Sequence, residues 1–354
     1  MLTFHNPHHR LHQGQHEMFR GRLVPCHETP QRLEHVLAEL ERRGSGPLCT
    51  PAHTLDADLP GLTAALAATH DARYLQFIAH AWDEWVALDP LNAGRDALPS
   101  VWPAPGMRVD VLPENFAARL GLFAFDAGTP LTAGTWPAAR AGAACALAAA
   151  RAVAGGSVRS AFALTRPPGH HAGRGFFGGY CFLNNAALAA QALRDGGAER
   201  VAVLDVDYHH GNGTQEIFYT RSDVLTISIH GDPRTEYPFF LGHADERGAA
   251  AGTGFNLNLP LARGSDFARW REALTAGLAA TRAFGADALV VALGVDTFEG
   301  DPISGFRLRT GDYPLVGRAI AAADLPTVFV FEGGYAVDAI GVNTAGVLGG
   351  FESA

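Results

Sequence analysis

The sequence predicts an α/β protein built as a single domain around a central, mostly parallel β-sheet with helices on both faces. Three observations carry that prediction. Beyond residue 160, short apolar runs alternate with helical segments, the pattern of β-α-β units. The unusual polar residues fall just past those runs, where parallel sheets bind ligands. No internal repeat and no linker interrupts the 354 residues, although length alone would allow two or three domains.

Residues 28–43 place apolar side chains at helical spacing and stop before Gly44, and a second helix is expected over Ala72–Leu88. Residues 89–115 are rich in proline and polar groups and too long for an ordinary connection, which marks them as functional or as an interface element. Thr135 is the expected N-cap of an alanine-rich helix reaching about Ala154, with Pro137 in its tolerant first turn. The strands follow as Ala161–Leu164, Val201–Asp205, Val224–Ile229, Leu289–Leu293 and Val328–Phe331. Helices are expected between them near Asn185–Arg194, Phe267–Phe284 and Tyr313–Ala323.

A net charge of −9 argues against nucleic acid or an anionic membrane as the main partner and is compatible with a cationic substrate. The four cysteines, Cys26, Cys49, Cys145 and Cys181, form no CxxC pair, which favours a reducing, cytoplasmic setting. No 18-residue apolar run exists, and the first ten residues lack a signal-peptide core.

The stretch 201–215, VAVLDVDYHHGNGTQ, is the most informative. Alternation along an extended chain sends Asp205, Asp207 and His209 to one side, a donor set suited to a catalytic divalent metal. A polar turn with solvated histidines is the plain alternative. RPPGHHAG supplies His170 and His171, neighbouring imidazoles able to accept and donate protons, or simply a polar loop. Asp296 ends the very apolar run ALVVALG, where a carboxylate needs a partner such as a metal or serves as a helix cap. Tyr335 follows two glycines, placed to donate to a developing oxyanion or merely to close a turn.

Taken in order, RPPGHHA, GYCFLNNAALAA, LDVDYHHGNGTQEIFY, GVDTFEGDP and EGGY resemble the zinc-dependent deacetylases of the histone deacetylase superfamily, from about residue 15 to the C-terminus. Within it, Glu17, GRLVPCHETPQR and SIHGDPRTEYPFFLGHADERG resemble the bacterial acetylpolyamine amidohydrolases. The resemblance implies an arginase/deacetylase-like fold and hydrolysis of N-acetylated polyamines. It also implies Zn²⁺, with Fe²⁺ compatible, on Asp207, His209 and Asp296. His170, His171 and Tyr335 would be the catalytic groups, with Asp205 paired to His170 and Asn212 facing His171. Asp205, Asp207, His209 and Ser228 would hold a structural K⁺ or Na⁺; His210 has no metal role. Glu17, Tyr180 and Tyr237 or Phe239 would line the substrate channel, and the 89–115 loop would support a homodimer.

Two channel-mouth glutamates of one branch align with Ala117 and Gly128, so Asp126 or Glu114 is expected to supply the negative charge instead. The competing readings are an acetyl-lysine deacetylase of the same chemistry, a non-catalytic acyl sensor, and a two-metal hydrolase of the arginase type. The last would need further Asp and His ligands.

Overall fold

The computed structural model describes residues 1–53, 55 and 57–354. Its strands are β1 (Leu2–His5), β2 (His16–Phe19), β3 (Arg22–Pro25), β4 (Leu48–Cys49), β5 (Ser160–Leu164), β6 (Val201–Asp205), β7 (Val224–Gly231), β8 (Asn256–Leu261), β9 (Ala288–Leu293) and β10 (Thr327–Phe331). The helices of the first half are α1 (Gln31–Arg43), α2 (Leu62–Thr69), α3 (Ala72–Leu88), α4 (Phe116–Leu122) and α5 (Thr135–Ala154). The second half adds α6 (Asn185–Asp195), α7 (Asn212–Phe218), α8 (Phe267–Phe284), α9 (Tyr313–Ala321) and α10 (Val337–Glu352).

Eight strands form one sheet in the order β4-β1-β5-β10-β9-β6-β7-β8, and every pairing in it is parallel. Strands β2 and β3 form a separate antiparallel hairpin. Because successive side chains of a strand face opposite ways, the sheet feeds two cores. Ala161, Ala163, Val201 and Val203 pack on one face, while Phe162, Leu164, Ala202 and Leu204 pack on the other. Helices α2, α3, α5 and α6 cover the first face, and α1, α8, α9 and α10 the second. Runs such as ALVVAL in β9 are buried throughout, as a strand covered on both faces requires.

The chain reverses direction across the sheet at its centre. It runs outward from β6 to β7 and β8, then returns to place β9 on the other side of β6 and β10 between β9 and β5. Such a switch opens a crevice beyond the carboxyl ends of the central strands. The segments after β5, β6, β9 and β10 all enter it.

The expected strands and helices are present, with differences that have local causes. Helix α1 begins at Gln31, since Pro30 occupies its N-cap position. Gly134, not Thr135, is the N-cap of α5. Thr135 is already helical, and its hydroxyl accepts from the Thr132 amide at 2.8 Å. Segment 89–115 holds the 3₁₀ turn Pro90–Gly94 and an isolated antiparallel bridge from Ala97 to Leu131, and is otherwise irregular. Among the described residues no helix is long and apolar enough to cross a membrane.

Candidate active site

Asp205 closes β6, and the next five residues turn across the top of the sheet, so Asp207 and His209 enter the crevice beside Asp296, which stands just past β9. One donor atom from each of Asp207, His209 and Asp296 lies within 4.8 Å of the others, and all three residues are buried. Nδ1 is the facing imidazole atom, 3.0 Å from Asp296 Oδ2 and 3.4 Å from Asp207 Oδ1. The carboxylates are oriented from behind: Asp207 Oδ2 accepts from the Gly333 amide at 2.7 Å, and Asp296 Oδ1 from the Tyr208 amide at 2.7 Å.

Two buried carboxylates with one imidazole leave a surplus of negative charge in a place of low dielectric. Burial and then the Asp207 charge push the Asp296 carboxyl up to about 8. Burial alone would lower His209, but its bonds to Asp207 and Asp296 outweigh that and raise it to about 10. Both shifts favour the protonated forms, the response of a donor set whose negative charge no fixed cation offsets. The space is kept by glycines: a Cβ at Gly294 would stand 2.0 Å from Asp207 Oδ2, and one at Gly333 2.5 Å from Asp207 Oδ2 and 2.7 Å from Asp296 Oδ2. An all-oxygen-and-nitrogen donor set of this kind fits a divalent ion such as zinc or iron.

Asp205 turns away from this cluster. Its Oδ2 meets His170 Nδ1 at 2.9 Å, and its Oδ1 accepts from the Asp207 amide at 3.1 Å. Burial opposes charge on His170, yet Asp205 and Asp207 hold its pKa at about 10. His171, whose ring centroid lies 4.0 Å from that of His170, behaves oppositely. Its burial and the neighbouring His170 and His209 push it well below the ordinary imidazole range. Its Nδ1 is 2.6 Å from Asn212 Oδ1, an acceptor, so Nδ1–H donates and Nε2 keeps a free lone pair. The two adjacent histidines are thus pushed in opposite directions: carboxylates beside His170 outweigh its burial, whereas His171 faces only a neutral amide and burial prevails.

Tyr335 is nearly buried beside these groups. Its amide donates to Asp301 Oδ2 at 2.8 Å, and the Arg32 guanidinium lies 4.7 Å from its ring centroid. Burial raises its phenol well above the usual range, so the hydroxyl remains a hydrogen-bond donor. Arg32 also donates to Gly334 O at 2.6 Å and pairs with Glu28 at 2.8 Å, and Glu28 binds Arg166 through both oxygens at 2.8 Å. Glu332, buried behind the histidine turn, accepts from the Gly169 and His170 amides at 2.6 and 3.1 Å.

His171, His209 and Tyr335 line a cavity of about 800 Å³ that opens outward from the cluster. Glu17, Tyr180, Tyr237 and Phe239 all line it. Each channel tyrosine is tied to a carboxylate, Tyr180 to Glu17 at 2.9 Å and Tyr237 to Asp126 at 2.6 Å. Asp126 and Gly128 line the cavity, whereas Glu114 and Ala117 are exposed and absent from its wall. Of the two acidic candidates, only Asp126 lies in the cavity wall. Glu236 and Arg263, paired at 3.0 Å, also line it and were not foreseen.

Ser228 stands opposite Asp205 in the β6–β7 register and, with it, borders a polar cavity of about 10 Å³; Asp207 and His209 are not in that wall. His210 binds Gln215 and Asn258 and takes no part in the Asp207–His209–Asp296 cluster. Among the described residues a second group, His170, Cys181 and Glu332, also converges within 4.8 Å. Burial raises the Cys181 thiol well above its ordinary range and Glu332 to about 7; Glu332 Oε2 is held by two amides, and its Oε1 has no hydrogen-bond partner.

Loading with zinc is expected to raise the thermal midpoint, by about 2.7 kcal/mol of stabilisation at 100-fold excess over Kd. Asp296→Asn should abolish the zinc-dependent shift; a variant that keeps it would remove Asp296 from the donor set.

Residues 26–350 match the family model described as the histone deacetylase domain. Acetylpolyamine amidohydrolase 2 of Pseudomonas aeruginosa is 51% identical over 352 residues, covering 99% of both chains. The acetylpolyamine amidohydrolase of Mycoplana ramosa is 47% identical, covering 97% of each. The crystal structure of an acetylpolyamine aminohydrolase from Burkholderia pseudomallei superposes with a TM-score of 0.92 at 41% identity, covering 100% of this chain and 99% of that one. The chain belongs to the histone deacetylase family of amidohydrolases, and over its whole length it is similar to members named acetylpolyamine amidohydrolase.

Proposed function

We propose that the protein is a zinc-dependent amidohydrolase that removes the acetyl group from N-acetylated polyamines, releasing acetate and the free amine. The observation that carries this reading is a buried two-carboxylate, one-imidazole cluster flanked by a neutral histidine and a tyrosine hydroxyl at the end of an acid-walled channel.

Asp207, His209 and Asp296 would hold the ion, which when bound supplies Lewis-acid polarisation of the amide carbonyl and makes water more acidic. His171 accepts the proton of the attacking water at Nε2, because its Nδ1–H is committed to Asn212. As the carbonyl oxygen gains charge, Tyr335 donates to it. His171 then returns the proton to the nitrogen as the C–N bond breaks. His170, kept charged by Asp205, raises the positive potential around the developing oxyanion.

The channel selects the substrate. Tyr180, Tyr237 and Phe239 enclose a methylene chain, while Glu17 and Asp126 favour a distal ammonium group. The opposed Asp205 and Ser228 support a structural K⁺ or Na⁺ held with oxygens of Asp207 and His209. Exposed Leu91, Val101, Met107, Val109 and Val111 on the 89–115 loop support a homodimer built there, since apolar side chains clustered on a surface seek a partner. Four unpaired cysteines are in keeping with the cytoplasm.

Side-by-side assays should show N-acetylputrescine, N-acetylcadaverine or N-acetylspermidine hydrolysed with higher kcat/KM than an acetyl-lysine peptide; the reverse order defeats the polyamine assignment. Tyr335→Phe should lose roughly 10²–10³ in kcat with little change in KM, and full activity would remove the oxyanion role. Asn212→Asp places a carboxylate against His171 and raises its pKa. Because the neutral imidazole is the base, activity is lost as pH falls through that pKa, so the acidic limb of the profile should move upward. An unmoved limb contradicts the assignment. Deleting residues 93–112 should give monomers in analytical ultracentrifugation, whereas an intact dimer refutes the loop's interface role.

A further inference from the structure

The loop between β7 and β8 carries Tyr237 and Phe239 into the channel wall, and Phe239 holds a φ of 70°, a strained conformation for a bulky side chain. Such a residue stays in place only if the chain is held on both sides. On one side Tyr237 is tied through its hydroxyl to Asp126 at 2.6 Å. On the other the loop descends onto a buried polar patch, and Glu246 is where the contacts meet.

Glu246 Oε2 accepts from the Gly242 amide at 3.0 Å, from Gln215 Nε2 at 2.6 Å and from Asn258 Nδ2 at 3.3 Å. Gln215 Oε1 in turn lies 3.0 Å from His210 Nε2, the residue after His209. Gly242 sits at φ 109°, and a Cβ there would stand 2.8 Å from His230 Nε2 and 2.9 Å from His210 Cγ. His230 Nε2 donates to Gly242 O at 2.9 Å. The loop is therefore pressed onto the same segment that supplies His209 to the metal cluster.

We infer that Glu246 is a positioning residue for the substrate channel, holding the loop of Tyr237 and Phe239 in register with the segment of His209. The inference rests on the cavity being the channel for an N-acetylated amine. Glu246 touches neither substrate nor the reacting atoms, so its loss should loosen binding and spare the chemical step.

The test compares Glu246→Ala, Glu246→Gln and the unaltered, zinc-loaded protein on N-acetylputrescine. Hydrogen–deuterium exchange of residues 237–246 is measured in parallel, with and without zinc. Glu246→Ala should raise KM about tenfold with kcat within about threefold, the effect of losing a charge-assisted anchor. Its amides 239–244 should exchange faster, with the sheet unchanged. Glu246→Gln keeps an oxygen that accepts from Gly242 and Gln215 and should restore both readouts. Unchanged KM and exchange in Glu246→Ala overturn the inference. So does an equal fall of kcat and kcat/KM with faster exchange across the whole sheet, which marks general destabilisation. If the unaltered protein hydrolyses no N-acetylated amine, the channel reading fails, and exchange alone decides whether Glu246 anchors the loop.

Discussion

Asp205, Asp207 and Asp296 are buried at the carboxyl ends of adjacent strands, and much of the surrounding architecture answers the cost of keeping them there. Among the described residues no arginine forms an ion pair with any of the three; their partners are imidazoles and backbone amides. That choice leaves negative charge to be met by a cation. It also dictates the glycines: Gly294 and Gly333 let two strand ends approach carboxylate oxygens more closely than any side chain permits. The crossing of the chain at the centre of the sheet is what makes β6 and β9 neighbours at all.

Behind this centre lies a second buried set, Glu28 with Arg32 and Arg166, that ties the front of α1 to the turns following β5 and β10. Leaving one member of such a buried set unpaired costs about 3–5 kcal/mol, so the set acts as a unit. Its product is geometric. Arg32 fixes the Gly334 carbonyl and lies against the Tyr335 ring, while Arg166 leads directly into the turn that presents His170 and His171. The two motifs nearest the chemistry are thus held from behind by one glutamate.

The central strands were legible because apolar runs bounded by polar turns have a local signature. Strand alternation grouped Asp205 with Asp207 and His209, but Asp205 turns to His170 instead, and Asp296 joined the donor set only through the family resemblance. The set of Glu28, Arg32 and Arg166 has no such signature: Glu28 and Arg32 are four positions apart and read as a solvated pair at the start of the first helix, while Arg166 lies 138 positions from Glu28 and the Gly334 carbonyl 302 from Arg32. Gly333 looked like turn punctuation, and its closeness to Asp207, 126 positions earlier, exists only in the folded chain. Strand β8 escaped notice because NLNLPL carries two asparagines and a proline, which is tolerable at the edge of the sheet where it lies. The split between His170 and His171 was half visible, since the absence of a carboxylate opposite His171 is in the motif but the burial that pushes it down is not.

X-ray absorption at the zinc edge on the loaded protein tests the central claim most directly. One zinc per chain is expected, surrounded by oxygen and nitrogen only, including a single imidazole. A sulfur scatterer near 2.3 Å would move the ion to the group that contains Cys181 and contradict the assignment of Asp207, His209 and Asp296.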